Sequence, residues 1–325
     1  MSEVAERPVD DGRPRTPAIL ADDTGSSRRY DIPTEAPNPR TRDIDLLHPL
    51  EVLELLNAED QRVPLAVARV LPEMARTVEL MISSLRSGGH VHYFGAGTSG
   101  RLATADAAEL PPTYAVPTDL VIVHLAGGAA AGSKALEQAE DDPEAGAAEA
   151  ASLDKTDVAV GIAASGLTPF VVGALRRAKQ KGAATVLISS NPGAPAGKEV
   201  DCHIAPDTGS EPITGSTRMK AGTATKLVLN SLSTATMIAL GRTYSHYMVN
   251  MKATNTKLRQ RALRILGEIT TLPRERCAEA LDGTGGELDT ALTILLAGVD
   301  VTGARLALQR NNGAVRAALR DLGHT

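Results

Sequence analysis

The residues with the clearest chemical potential lie in GAGTSGRLATADAAELPP, residues 95–112, which combines two kinds of group that rarely serve one ligand. Its first half joins a glycine-rich turn to the hydroxyls of Thr98 and Ser99. When such a turn connects a strand to a helix, backbone N–H groups and the positive end of the helix dipole face one point, which favours phosphate binding. Its second half carries a carboxylate, Glu109, although negative side chains normally avoid phosphate sites.

A dinucleotide site is one alternative for this turn, because Gly95, Gly97 and Gly100 resemble the GxGxxG pattern. Such a site would also need an acidic residue at the end of the next strand, about 20 residues further on. The next apolar run, DLVIVHLAGG, ends instead in Gly127 and Gly128, which argues against NAD. A purely structural glycine turn remains possible for this motif considered alone.

A second loop, AASGLTPF at residues 163–170, also follows an apolar run and opens a helical pattern. Ser165 is expected to cap that helix while Thr168 turns toward the same ligand, although a simple helix cap explains the loop equally well. Because the carboxyl ends of parallel strands converge in an open sheet, both loops are expected to address one phosphate. Hydroxyls and N–H groups without a P-loop lysine favour a sugar phosphate over a nucleoside triphosphate.

A pair of carboxylates supplies candidate acid–base groups. Glu109 is surrounded by small and apolar residues, whereas Glu140 lies in the uniformly acidic stretch EQAEDDPE. An ordinary surface acid is therefore the simpler interpretation of Glu140. Two carboxylates in unlike environments can nevertheless divide the roles of acid and base, one kept protonated and the other ionised.

The elements that would position these groups follow from the apolar pattern. A helical periodicity runs from Leu46 to about Ser87, and the strand HVHYF then leads into the first loop. Further apolar runs at 119–127, 157–165 and 184–191 alternate with Ala-rich helical segments. This alternation predicts an α/β fold, with a mostly parallel sheet covered by helices on both faces.

A long helix is predicted within residues 210–241, with Pro212 and Ser216 as start signals, and the chain is helical again after about Thr256. We therefore predict a disordered tail at residues 1–32, a catalytic domain with N-terminal helices at 33–255 and a small helical domain at 256–325. These three ranges together account for the whole chain.

Composition excludes several classes of partner. The chain has 34 basic and 39 acidic residues, a net charge of −5, and no polybasic run or basic helix-turn-helix unit, so nucleic acid and membrane are poor partners. No apolar run reaches the roughly 20 residues of a membrane span, and the first residues lack the apolar core of a signal peptide, so we expect a cytoplasmic protein. Cys202 and Cys277 form no CxxC or Cys/His cluster, so neither a disulfide nor a structural zinc site is expected.

Seven stretches, in order along the chain, resemble the N-acetylmuramic acid 6-phosphate etherases: TEAPNPRTRDIDLL, GAGTSGRL, DAAELPPTY, AEDDPEAGA, GIAASGLTPFV, SSNPGAP and TGSTRMKAGTATKLVLN. The likeness covers about residues 33–270, and several long motifs in register are far more specific than one glycine loop. This family belongs to the sugar isomerase (SIS) superfamily. The resemblance therefore implies a three-layer α/β sandwich that binds phosphosugars, with a small C-terminal helical unit, and a homodimer.

The resemblance also implies a carbon–oxygen lyase that uses neither a metal nor an organic cofactor. Such an enzyme cleaves the D-lactyl ether of N-acetylmuramic acid 6-phosphate to N-acetylglucosamine 6-phosphate and D-lactate, a step in peptidoglycan recycling. In the open-chain sugar the C1 aldehyde makes the C2 proton acidic enough for a base to remove. The C3 alkoxide can then leave if an acid protonates it, and water adds across the resulting double bond.

Site residues carry over from the family by matching motifs. Glu109 corresponds to the acid that protonates the departing lactate oxygen and then activates water, and Glu140 to the base at C2. The phosphate-binding positions correspond to residues of the two loops: Gly97, Thr98, Ser99, Ser165, Gly166 and Thr168. The chain departs from common patterns at Ala163, where many superfamily members have a hydroxyl, and at Asn250, where many relatives have an acid.

Two other functions compete with this interpretation. A non-catalytic phosphosugar-binding regulator, like the glucokinase regulatory protein, would use the same loops, but it carries two SIS units and does not require the pair Glu109 and Glu140. An aldose–ketose phosphate isomerase would need a base but no acid directed at C3. The glutamate pair therefore favours the etherase.

The position of Glu109 raises a geometric question. A straight helix from Ser99 would place Glu109 about 15 Å away, at 1.5 Å per residue, which is longer than the distance from phosphorus to C3. Three arrangements are possible: the helix ends before Pro111 and Pro112, it runs beneath the sugar, or Glu109 serves the site of a partner subunit.

Overall fold

A computed structural model describes residues 32–132 and 137–324, so the predicted tail lies, except for Ile32, outside the described residues. Five parallel strands form the central sheet in the order β2-β1-β3-β4-β5. Their bounds are β1 Val91–Gly95, β2 Val121–Leu125, β3 Val158–Ile162, β4 Ala184–Ile188 and β5 Cys202–Ile204. The first four coincide with the predicted apolar runs, which confirms the α/β sandwich. The sequence did not predict β5, because its three residues are too few to show a pattern.

The described residues also form an antiparallel pair of short strands, β6 Thr243–Tyr244 and β7 Tyr247–Met248, and twelve α-helices. Their bounds are α1 Pro49–Asp60, α2 Val63–Ala68, α3 Leu71–Arg86, α4 Gly97–Tyr114, α5 Pro143–Glu149, α6 Pro169–Gln180, α7 Lys220–Ala239, α8 Thr256–Thr270, α9 Arg274–Gly283, α10 Leu288–Ala297, α11 Val301–Arg310 and α12 Val315–Asp321. Neighbouring residues of β1 point to opposite faces of the sheet, as the pleat requires. Tyr93 faces the core shared with α3, α4 and α7, whereas Phe94 faces the core shared with α6.

Helix α7 begins later than its sequence predicted. Neither Pro212 nor Ser216 starts it, because the chain between Glu211 and Lys220 forms an irregular loop. The buried carboxylate of Glu211 accepts the backbone N–H groups of Lys220 at 2.9 Å and Ala221 at 3.0 Å, which fixes the helix start. A cap nine residues before the helix has no local sequence signature, so the shift could not be anticipated.

The C-terminal helices α8 to α12 pack around a hydrophobic cluster of their own, which also includes Val249 and Met251. The domain boundary at residue 256 stays a prediction. Asn250 donates to Asp289 Oδ2 at 3.3 Å and to the Gly313 carbonyl at 3.0 Å. Within residues 32–132 and 137–324, no single helix is long and apolar enough to cross a membrane, and α10 and α11 reach that limit only together, across a 110° bend.

Candidate functional site

The first predicted loop joins β1 directly to α4 with almost no intervening chain. A Cβ on Gly100 would lie 2.8 Å from the Gly95 carbonyl oxygen and 2.2 Å from Leu125, so only glycine allows the helix to start this close to the sheet. Thr98 and Ser99 therefore lie in the first turn of α4, where backbone N–H groups have no partner within the helix. This geometry is the strand-to-helix turn that the sequence predicted, and its binding of a phosphate stays a prediction.

The second loop, between β3 and α6, differs in detail from its prediction. The Ser165 hydroxyl accepts the Leu167 N–H at 3.2 Å and so closes a turn within the loop. It does not cap α6, whose N-cap position is held by Thr168. The amide of Asn191, from the loop after β4, donates to the Ser165 carbonyl at 2.9 Å and supports the turn from behind.

Both loops open into one cavity of about 220 Å³. Six of the eight predicted site residues line it: Gly97, Thr98, Ser99, Glu140, Ser165 and Thr168. Gly166 belongs to the second loop but does not line the cavity; it has φ +70°, and a Cβ there would lie 2.5 Å from the Ala194 Cβ. Glu109 is not among the residues that line the cavity.

Glu140 is half-buried and lies at the cavity rather than on an open surface. It belongs to a short 3₁₀ helix, Glu137–Asp141, immediately before α5. Asp142 caps α5 by accepting the Ala145 N–H at 3.0 Å, which fixes where α5 begins after the 3₁₀ helix. The simpler interpretation of Glu140 as an ordinary surface acid therefore does not describe its position.

Glu109 lies on the exposed side of α4, which continues unbroken to Tyr114. Pro111 and Pro112 are inside the helix, so the first of the three arrangements, a helix that ends before them, is wrong. At 1.5 Å per residue, the backbone of Glu109 lies about 15 Å along the axis from Ser99. Its own chain therefore presents Glu109 well away from the phosphate loops.

Sequence reasoning missed several residues of the cavity wall: Glu35, Gly215, Thr217 and Thr225. The segment from Ile32 to Leu47, called here the N-terminal strap, crosses the loop before α7. The Gly215 N–H donates to the Thr34 carbonyl at 3.1 Å, and the Thr41 hydroxyl donates to the Pro212 carbonyl at 2.7 Å. The family resemblance was a sequence signal for these residues, because the strap contains TEAPNPRTRDIDLL and the motif TGSTRMKAGTATKLVLN begins in the loop before α7. The motifs alone did not indicate that these segments line the cavity.

A buried charge cluster holds the N-terminal strap in place. Glu59 of α1 accepts Lys220 Nζ at 2.7 Å and Asn38 Nδ2 at 2.9 Å, and Arg40 pairs with the same carboxylate through both Nε and Nη2. The Lys220 side chain is 0% exposed and that of Glu59 only 4%. The hydrogen bond from Arg40, followed by those from Lys220 and Asn38, lowers the pKa of Glu59 to about 2 despite its burial.

The electrostatics of the cavity depend on helix ends and hydroxyls. Among the described residues that line it, none is a lysine or an arginine, and two are carboxylates, Glu35 and Glu140. Arg101 lies just outside, with Nη2 3.5 Å from the Thr98 hydroxyl. A bound phosphate would therefore be stabilised mainly by the N-termini of α4 and α6 and by hydroxyl donors.

Comparison with known families and proteins adds an independent line of evidence. A model described as the glucokinase regulatory protein N-terminal SIS domain matches residues 73–179, and a SIS domain model matches residues 133–235. An N-acetylmuramic acid 6-phosphate etherase of Thermobifida fusca (strain YX) is 56% identical over 264 residues, 81% of this chain and 87% of the relative. One of Serratia proteamaculans (strain 568) is 49% identical over 288 residues, 88% of this chain and 97% of the relative.

Among solved structures, a phosphoheptose isomerase from Francisella tularensis is similar to this chain with a TM-score of 0.48 and 18% identity. The match covers 59% of this chain and 100% of that one.

Proposed function

Because this chain belongs to the N-acetylmuramic acid 6-phosphate etherase family, we propose that it cleaves the D-lactyl ether of N-acetylmuramic acid 6-phosphate. The products are N-acetylglucosamine 6-phosphate and D-lactate, and the reaction serves the recycling of cell-wall amino sugars. One observation carries the proposal beyond the likeness itself: two phosphate-type loops and the carboxylate of Glu140 share a single cavity.

In the proposed mechanism, the two loops hold the 6-phosphate through N–H groups and the hydroxyls of Thr98, Ser99, Ser165 and Thr168. Glu140 removes the C2 proton, which the neighbouring C1 aldehyde of the open-chain sugar acidifies. Glu109 protonates the C3 oxygen as lactate departs and then activates the water that adds at C3. Both stages are proton transfers at carbon and oxygen, for which positioned carboxyl groups are suitable catalysts.

The purified full chain should release D-lactate from N-acetylmuramic acid 6-phosphate, measured with a coupled lactate dehydrogenase. Unphosphorylated N-acetylmuramic acid is the matched control substrate, and it should react far more slowly because it lacks the group that the loops hold. If the wild-type chain releases no more lactate from the phosphorylated substrate than the Glu140→Gln variant does, the proposed activity is wrong.

The same assay separates the etherase from a non-catalytic phosphosugar-binding regulator, which would bind the substrate without turnover. The regulator-domain model matches only residues 73–179. The etherases of both bacteria match more than four fifths of the chain, so the comparisons do not favour the regulator.

We further propose that the protein is a homodimer whose subunits each supply Glu109 to the partner's cavity. Three observations support this: the exposure of Glu109, its axial distance from Ser99, and the exposed small residues Thr104, Ala105 and Ala108 beside it on α4.

Subunit complementation tests this arrangement. Co-expressed Glu109→Ala and Glu140→Ala chains with different tags yield a heterodimer in which one site has both wild-type glutamates and the other has neither. The heterodimer, purified through both tags, should recover about half of wild-type lactate release, because one of its two symmetric sites is intact. Activity no higher than that of either homodimer would show that Glu109 acts within its own chain, beneath the sugar.

We also propose that the protein works in the cytoplasm. Both of its cysteines, Cys202 and Cys277, are buried as free thiols, which is the usual state in a reducing compartment.

A further inference from the structure

Two histidines on neighbouring strands form a hydrogen-bonded chain on one face of the sheet, from His124 near the carboxyl end of β2 to His92 near the start of β1. Glu149, at the end of α5, lies 2.8 Å from Nδ1 of His124 in β2. Nε2 of His124 lies 3.0 Å from Nδ1 of His92 in β1. The three groups form a hydrogen-bonded relay from the solvent-exposed carboxylate of Glu149 to the buried ring of His92.

The relay determines which nitrogen of each neutral ring carries its proton. A carboxylate only accepts, so His124 must donate to Glu149 from Nδ1, and its Nε2 must then accept. His92 therefore donates from Nδ1, which leaves a lone pair on its Nε2. Such a relay fixes the orientation of the terminal ring and directs that lone pair away from His124.

The lone pair of His92 faces another acceptor. Its Nε2 lies 3.9 Å from Asp157 Oδ1, just before β3, and Nδ1 of His90 lies 3.7 Å from the same oxygen. The three potential ligand atoms all lie within 4.8 Å of one another. Two backbone N–H groups, from His90 at 2.9 Å and Asp154 at 3.0 Å, hold the Asp157 carboxylate in place.

We propose that His90, His92 and Asp157 bind a divalent transition-metal cation of the Zn²⁺ or Co²⁺ class. Two imidazoles and one carboxylate are typical ligands for these ions, whose ligand bonds of about 2.1 Å fit between atoms this far apart. The relay through His124 to Glu149 provides the carboxylate–histidine support that metal-binding histidines usually have. His90, with 42% of its side chain exposed, gives the ion a path from solvent.

The proposed metal site lies at the starts of the strands, away from the phosphate loops, which indicates a structural and not a catalytic role. His90 and Asp157 precede β1 and β3, whereas the phosphate loops follow the same two strands, so the cation would join the strand starts and take no part in ether cleavage. No structural zinc site was expected from the sequence, because it contains no CxxC motif or Cys/His cluster. Asp157 is 65 residues from His92 in sequence and only the parallel pairing of β1 with β3 brings them together.

The test is calorimetric titration of the chelator-treated full chain with Zn²⁺, together with the visible spectrum of the Co²⁺ form. We expect one saturable Zn²⁺ site per chain and an intense Co²⁺ band typical of low coordination, with a rise in Tm on binding. His90→Ala should weaken Zn²⁺ at least tenfold, whereas His246→Ala, an exposed histidine elsewhere, should not change the affinity.

A second variant keeps all three ligands. Glu149→Gln removes only the charged end of the relay and should weaken Zn²⁺ about tenfold. No saturable binding, or equal affinity in the His90→Ala and His246→Ala variants, would overturn the proposal and indicate adventitious surface binding. Lactate release plays no part in these measurements, so they stand or fall independently of the etherase assignment.

Discussion

Replacing Glu140 with glutamine should lower lactate release by about 10³-fold and should abolish exchange of the substrate C2 proton with deuterium from solvent. Glutamine keeps the size and hydrogen-bonding capacity of the side chain at the cavity wall but cannot accept the proton. Glu144→Gln is the matched control, since Glu144 is an exposed acid four residues further along the same acidic stretch. That control should retain both lactate release and exchange.

Glu109→Gln should behave differently, because its carboxyl acts after the C2 proton has left. Lactate release should again fall by about 10³-fold, while exchange at C2 continues. Deuterium incorporation followed by mass spectrometry of the recovered sugar phosphate distinguishes the two variants. If deuterium exchange at C2 survives in Glu140→Gln and is lost in Glu109→Gln, Glu109 is the base at C2 and Glu140 is the acid.

The second large effect concerns stability. Glu59→Ala should lower the free energy of unfolding by about 3–5 kcal/mol, because it leaves the fully buried ammonium of Lys220 without its carboxylate. Urea unfolding at pH 7 measures the loss, and Glu54→Ala, on the exposed side of the same helix, is the control. The double variant Glu59→Ala/Lys220→Met should recover part of the stability, since it removes the unpaired charge as well. An equal loss in Glu59→Ala and Glu54→Ala would contradict this account of the cluster.

The same cluster makes the free energy of unfolding depend on pH. Its hydrogen bond with Arg40 lowers the pKa of Glu59 from 4.5 to about 2 in the folded protein. Because the pKa is lower in the folded protein, ionised Glu59 stabilises the fold at pH values above the pKa of the unfolded chain. This contribution to stability is lost as pH falls from about 4.5 to about 2. The wild-type chain should therefore lose about 3 kcal/mol from this group over that interval, and Glu59→Ala should not.

The framework of the fold could be predicted from sequence because it follows from local patterns. Apolar runs predicted β1 to β4, and the glycine and hydroxyl residues after β1 and β3 predicted where the two strand-to-helix loops lie. The cavity wall at Glu35 and Thr217 could not be predicted in the same way. Glu35 ends a short 3₁₀ helix and Thr217 lies in the loop before α7, and contacts between distant parts of the chain bring them to the site.

Long-range structure also explains the remaining differences. The start of α7 depends on Glu211, a cap too far from the helix to be recognised in sequence. The grouping of His90 with Asp157 depends on strand register. For Glu109 the sequence predicted its distance from the loops, its role stays a prediction, and the continuous helix through Pro111 and Pro112 reduces the possible arrangements from three to two.

The hydrogen bond between Glu59 and Lys220 joins residues 161 positions apart. The N-terminal strap itself hydrogen-bonds to Pro212 and Gly215, so it can dock only after these later residues have left the ribosome. Contacts this distant in sequence form late, because the loop between them must close before they contribute. We expect nascent chains that end before Lys220 to leave the strap open to proteolysis, so the cavity wall that carries Glu35 is completed only when α7 emerges.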